Sequence, residues 1–464
     1  MRTGTSLRAN LGLLKQQSLI SSATTCPRMK AKMDCKDTGL VNYENPGESR
    51  KQDNNVKKSC KNINITDAET VYDWVYKCVN RHYKRYDFRK LLIKFGMKKD
   101  DYEYLIKSHD HSVLVTPVMN ISRYACDCIR KREIILPPVH IRIKKDNTTF
   151  KERLIGKEYA LQQVFDYIAV YSCDEIWRRR IVPQQASSIK GRGPEYGMRM
   201  IRHNIIQDNR SIRYANKHNI RYNSKCKYFV KLDAKKCYPN AKKDILMKYL
   251  RHDCANEDIL WLWDVLLSSH RVKIDGSEEI YEGFMIGALP SMWGMQLLLS
   301  YTYRYVMSLN NVRHGKKIKY VNHAVLFMDD ILLQSGNKKY LKLAVKKLQK
   351  YASENLGITI KDNYSIKNLD DESIDMMGYV IDRRGVVTIR GRNFVHTRRL
   401  ALRYERNHTI TINFARRLIS YKGRFKYSDT KKAAKKYNLN KLFEKSASFI
   451  SRYDRRLNYE SILY

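Results

Sequence analysis

HAVLFMDDILLQ, running from His323 to Gln334, sets the doublet Asp329–Asp330 between two apolar arms. Such arms predict two buried strands joined by a tight turn, with the doublet at the tip. Adjacent carboxylates on apolar strands are costly to keep ionised unless a cation neutralises them. Hard oxygen donors of this kind suit Mg²⁺, which takes one or two protein carboxylates together with substrate phosphates. Asp also favours turns, so the doublet alone reads first as an ordinary hairpin tip. A second stretch changes that reading. In FVKLDAKKCYPN (Phe229 to Asn240), an apolar strand ends at Asp233, with Tyr238 five positions on and Asp329 96 residues downstream. Three carboxylates from two strand ends can hold two metals, the arrangement used for in-line phosphoryl or nucleotidyl displacement.

These acids stand on a basic background. The 464 residues hold 89 Lys+Arg against 47 Asp+Glu, a net charge of +42, which points to a polyanionic partner, nucleic acid before an anionic membrane. With 43% hydrophobic residues the chain is not wholly disordered, and 20 Gly and 9 Pro exclude collagen-like architecture. No apolar run of about 18 residues predicts a transmembrane span. Gln16, Gln17 and Ser18 interrupt the only leader-like apolar stretch, so no secretory signal is read. The ten cysteines are scattered, and Cys126-Asp127-Cys128 is too tight for structural zinc, so reduced thiols and a cytoplasmic setting are expected.

Residues 1–64 are polar and basic and read as a flexible tail. Helical spacing begins after Thr66-Asp67 with Tyr72, Val75, Tyr76 and Val79. Strand-like alternation follows from Ile134 to Ile143, with a turn signal at Asn147. One long helix is predicted over 159–180, a strand over 227–233, and further helices over 241–251, 257–268, 289–308 and 338–356. Strands and helices intermix without βαβ regularity, which indicates an α+β fold.

The order Asp233–Tyr238, then IGALPS (Ile286 to Ser291), then FMDD (Phe327 to Asp330) resembles palm motifs of reverse transcriptases. The likeness is to the bacterial and phage branch of group II intron, retron and diversity-generating retroelement enzymes. KERLIG (Lys151 to Gly156) and SSIKGRGPEYG (Ser187 to Gly197) resemble that family's fingers motifs, and DMMGYV (Asp375 to Val380) its primer-grip hairpin. Four departures stand out. Ile286 occupies a position often held by Gln, Met292 another, and Phe327 replaces the usual Tyr. Tyr364 stands where a Lys is customary, leaving Lys361 or Lys367 to substitute.

The resemblance implies a right-hand polymerase with fingers, a palm built on an antiparallel sheet and a helical thumb, behind an N-terminal helical extension. Its domains would be a tail (1–64), the extension (65–132), fingers (133–226), palm (227–385) and a basic helical thumb (386–464). Asp233, Asp329 and Asp330 would be the catalytic metal ligands for two Mg²⁺ ions, with Mn²⁺ able to substitute. Tyr238 would lie beneath the incoming sugar and exclude a 2′-hydroxyl. Arg153 would clamp the triphosphate, Lys190 and Arg192 would touch phosphates, and Gly287 and Ser291 would admit the template and nascent pair. Met377, Gly378 and Tyr379 would form the primer grip. The expected partners are an RNA template, a DNA or RNA primer, dNTPs and a cognate structured RNA, with no membrane. The implied activity is RNA-templated DNA synthesis by a retroelement enzyme. The rival readings are an antiphage-defence polymerase with atypical or protein-primed synthesis, and a maturase-like RNA-binding protein.

Overall fold

The helices that open the fold follow directly from their apolar stripes. In this computed structural model, which describes residues 57–145, 152–274 and 277–463, Asp67 caps helix α1 (Ala68–His82) by accepting the Thr70 N–H at 2.9 Å. Val71, Val75, Cys78 and Val79 recur at helical spacing and are buried. They face α4 (Val115–Lys131) and α5 (Ala160–Tyr171), while α2 (Tyr86–Lys94) and α3 (Lys99–Ser108) complete the group. The expected tail lies, up to residue 56, outside the described residues, as do Asn147 and Lys151.

Strands β1 (His140–Lys145) and β2 (Glu152–Lys157) form an antiparallel ribbon. The helix expected over 159–180 is two helices, α5 and α6 (Asp174–Arg180). The chain turns at Ser172-Cys173, where Ser172 Oγ donates to the Ala169 carbonyl and Trp177 Nε1 to the Val170 carbonyl. These bonds to the chain's own carbonyls compete with the helical ladder. A long helix, α7 (Pro194–Lys217), then leads to the central sheet.

That sheet has four antiparallel strands in the order β10 (Ile366–Asn368), β3 (Tyr228–Asp233), β9 (Asp330–Ser335), β8 (His323–Phe327). Both faces are covered, which is why its central strands read as unbroken apolar runs. On one side Phe229, Val325 and Leu332 share a core with Ile201 and Ile205 of α7. The sheet also meets α10 (Leu289–Ser308) and α11 (Lys338–Leu356). Between β3 and α10 lie α8 (Lys243–Asp253), α9 (Glu257–Ser268) and the ribbon β4–β5 (Arg271–Ile274, Ser277–Ile280). The ribbon β6–β7 (Asn310–Arg313, Lys316–Lys319) is inserted between α10 and β8.

A three-stranded sheet, β11 (Ile374–Met376), β12 (Tyr379–Ile381) and β13 (Val387–Ile389), joins this body to a C-terminal helical group. That group comprises α12 (Gly391–Asn407), α13 (Ile412–Lys426), α14 (Lys431–Lys436) and α15 (Leu439–Leu463), with its own core of Leu400, Phe414, Leu418, Phe425 and Phe443. The cysteines among the described residues are free thiols, and burial pushes those of Cys126 and Cys237 up to about 12, so they stay protonated. No helix among the described residues is long and apolar enough to cross a membrane.

Candidate active site

Register brings the acids together. In the β3–β9 ladder Asp233 is the direct partner of Asp330, and the neighbouring Ala234 N–H donates to the Asp329 carbonyl at 3.0 Å. Phe327 pairs with Asp330, so the two-residue turn is Met328-Asp329 and Asp330 is the first residue of its strand, not part of the tip. Met328 makes the turn possible by adopting φ +54°, a conformation that costs a non-glycine residue roughly 1–3 kcal/mol.

Each strand acid carries an ammonium. Lys361 pairs with Asp233, and Lys231 Nζ lies 3.0 Å from Asp330 Oδ1. Burial raises the Asp330 carboxyl above its ordinary range, Lys231 opposes that rise, and Asp329 and Asp233 add to it. The bond to Asp233 raises the Lys361 amine. As the side chains stand, no three His, Cys, Asp or Glu residues among those described converge on one metal position. The donors are nonetheless carboxylates on adjacent backbone positions already sharing cationic charge, and this set fits a hard divalent ion in kind.

Residues from three other segments hold the turn. Ser187 Oγ, 3% exposed as a residue, accepts the Met328 N–H at 2.9 Å and the Gln296 Nε2–H at 3.3 Å. Gln185 Nε2 donates to Gln296 Oε1 at 2.8 Å, and Ala186 N–H to the Leu326 carbonyl at 2.8 Å, so residues 184–187 lie along the free edge of β8. Around the Met328 thioether stand Tyr238 Oη at 3.6 Å and Ser188 Oγ at 3.7 Å. Burial pushes the Tyr238 phenol up, keeping it a neutral donor.

A cleft of about 770 Å³ joins Asp330, Lys231 and Phe327 to Met377, Gly378 and Arg424. Met377 (φ +56°) and Gly378 (φ +85°) form the turn between β11 and β12, both in the left-handed region that a type I′ hairpin requires. A Cβ on Gly378 would stand 2.7 Å from Arg424 Nε. Tyr379 is buried and its hydroxyl donates to Glu195 Oε1 at 3.4 Å.

The remaining expected residues have other surroundings. Arg153 is exposed on β2, and Lys190 is exposed beyond Ser187. Arg192 Nη1 donates to the Val182 and Gln185 carbonyls at 2.7 and 3.1 Å, bracing its own loop. Gly287 (φ +113°) lies against protein backbone, where a Cβ would meet the Gly156 carbonyl at 2.5 Å, and Gly156 N–H donates to the Ile286 carbonyl at 2.8 Å. Ser291 is fully buried and its Oγ accepts the Met285 N–H at 3.0 Å, so it shapes the loop from inside. Lys367 pairs with Glu372, away from the acids, whereas Lys361 reaches Asp233. Sequence reasoning missed Lys231, Ser187 and Gln296. Lys231 was open to detection, since it lies two residues before Asp233 on the same strand face. Ser187 opens the SSIKGRGPEYG segment, but nothing local ties it to the turn, and nothing local marks Gln296.

An antiparallel sheet that presents acids from neighbouring strands beside a basic cleft defines a palm-type nucleotidyltransferase. Residues 185–381 match the family described as reverse transcriptase (RNA-dependent DNA polymerase). This segment is a reverse transcriptase domain, and the protein is accordingly an RNA-directed DNA polymerase. Such domains work on RNA template and primer and generally use divalent metal ions. No curated protein matches the chain. Among solved structures it is similar to apo telomerase from Candida tropicalis, at 11% identity and a TM-score of 0.42, covering 86% of this chain and 81% of that one. The same telomerase truncated from its C-terminal domain gives 12% identity and a TM-score of 0.38, covering 74% of this chain and 84% of that one.

Proposed function

We propose that this protein is a reverse transcriptase of the bacterial and phage branch, encoded by a retroelement, that adds dNMP to a primer 3′-hydroxyl on an RNA template. The direct register of Asp233 with Asp330, one residue from Asp329, carries this reading. Asp233, Asp329 and Asp330 would hold two Mg²⁺ ions, which when bound supply charge stabilisation at the attacking and leaving oxygens. Met328, fixed by Ser187, keeps Asp329 at the mouth of the site. Tyr238 presents its ring to the sugar while its hydroxyl keeps its proton and donates toward the Met328 sulfur. Arg153 and Lys190, both exposed, are free to meet the triphosphate, while Arg192 keeps the Lys190 loop in shape. Gly287 and Ser291 act on the nascent pair by setting the path of the loop that carries them.

The turn at Met377-Gly378, with Tyr379 anchored on Glu195, would seat the primer end in the cleft shared with Asp330. On this reading the five segments keep the roles of tail, extension, fingers, palm and thumb. Asp329→Asn is the decisive variant. It should lower dNTP incorporation on a primed RNA template by ~10³-fold, since metal-held charge is worth several kcal/mol. Incorporation within tenfold of wild type by a folded Asp329→Asn protein would remove catalysis from this turn.

A further inference from the structure

We propose that the basic face formed by the ribbon β6–β7 and the first half of α11 is a docking surface for double-stranded RNA, separate from the cleft at Asp330. The proposal rests on the polymerase reading only for the identity of the polyanion.

The ribbon is not built around a core. Every residue of β6 and β7 is exposed except the half-buried Ile318, and a lone two-stranded ribbon is marginal in water. It is tied down instead. Tyr320 N–H donates to the Leu309 carbonyl at 2.9 Å, closing its base, and Asn311 Nδ2 donates to Tyr340 Oη at 3.3 Å on α11. The Tyr320 and Tyr340 rings stack 5.2 Å apart, and Lys347 Nζ lies 5.6 Å from the Tyr320 centroid. Ribbon and helix therefore present one surface.

That surface carries one sign of charge. Arg313, Lys316, Lys317 and Lys319 project from the ribbon, and Lys339, Lys342 and Lys346 from the helix, all exposed. Among the described residues none of the seven forms an ion pair with a carboxylate. From residue 310 to 350 the only acids are Asp329 and Asp330, which lie at the other end of β9, roughly 17 Å away for its length of six residues. Lys342 and Lys346 are one turn apart, so their ammoniums repeat at ~6 Å along the axis. A rigid row of this kind matches a phosphodiester backbone, which binds through neutralised phosphates and without base contacts. A membrane is the poorer fit. The apolar stripe of α11, with Leu341, Ala344, Val345 and Leu348, is fully buried in the protein, and the exposed apolar side chains of this surface, Val312 on the ribbon and Leu343 on the helix, stand singly and form no face to insert among lipids.

The test uses the full chain carrying Lys316→Gln, Lys317→Gln, Lys339→Gln, Lys342→Gln and Lys346→Gln. The probe is a labelled blunt RNA duplex about 16 base pairs long, titrated while a short RNA–DNA primer–template saturates the cleft. Wild type should bind both nucleic acids at once. The variant should bind the duplex about tenfold or more weakly, with its salt dependence flattened by roughly 4 in log–log slope, and should extend the short primer as wild type does. A ribbon-only variant, Lys316→Glu with Lys317→Glu, touches no core and should weaken duplex binding in the same direction. Duplex affinity within twofold of wild type in both variants overturns the proposal, as does a loss confined to phosphatidylserine vesicles. If wild type extends no primer yet the variants still lose the duplex, the polymerase reading fails and the docking surface stands.

Discussion

Two pairs of acids in the protein are kept in opposite ways. Asp233 and Asp330 meet across a sheet at the edge of a cleft, each beside a lysine. Glu158 and Asp166, where β2 passes into α5, are buried with His270, whose Nε2 lies 3.5 Å from Glu158 Oε1. No lysine or arginine pairs with either of those two acids among the described residues, and both Asp166 oxygens lack a donor there. Burial first, and Glu158 beside it, hold the Asp166 carboxyl well above its ordinary range. One pair shares borrowed cations at an open edge, the other includes a carboxyl kept neutral in the interior. On the proposed reading, only the first would exchange its partner for an incoming cation.

The comparison breaks most sharply at Lys361. Lys361→Ala leaves Asp233 without the ammonium that orients it and should slow incorporation about tenfold, the scale of a charge-assisted bond, in a steady-state primer-extension assay. Ser187→Ala removes the acceptor for the strained Met328 N–H and should lower kcat about fivefold with KM for dNTP little changed. Ser187→Thr, which keeps the oxygen, should restore most of that loss. Asp166→Asn probes the other pair. A carboxyl raised in the folded state binds its proton more tightly there than in the unfolded chain, so its stability contribution is full below about 3.8 and falls as pH rises. The amide removes that fall, so thermal melts at pH 8 should shift upward by roughly 2–4 °C while those near pH 4 hardly move. The smallest effect belongs to Lys367→Ala, whose exposed partner is Glu372. Its melting and extension rate should stay within about 0.5 kcal/mol of wild type.

Much of the sheet was legible because its strands are buried on both faces, so apolar runs mark them without ambiguity. The helix over 338–356 was legible for the opposite reason, with a clean stripe and an exposed lysine face. The acids stood out by being acids in a basic chain. What could not be read was long-range. Ser187 and Met328 are 141 residues apart, and no spacing rule links a serine to the turn it supports. The break at Ser172-Cys173 depends on a tryptophan five residues on reaching back to a carbonyl. Glu158 and Asp166 flank a helix face that reads as amphipathic, and only the packing of α1 and His270 around them turns polar positions into interior ones.

The contact between Gly156 and Gly287 has an evolutionary consequence. A methyl group on Gly287 would meet the Gly156 carbonyl at 2.5 Å, and one on Gly156 would meet the side chain of Met285, two residues before Gly287, at 2.4 Å. Gly287 is held by backbone that cannot yield, and Gly156 by a side chain of the same loop, whatever substrate the enzyme copies. The ribbon β1–β2 and the loop before α10 are therefore inherited as one object, and a lineage that exchanged either segment by recombination would have to carry both.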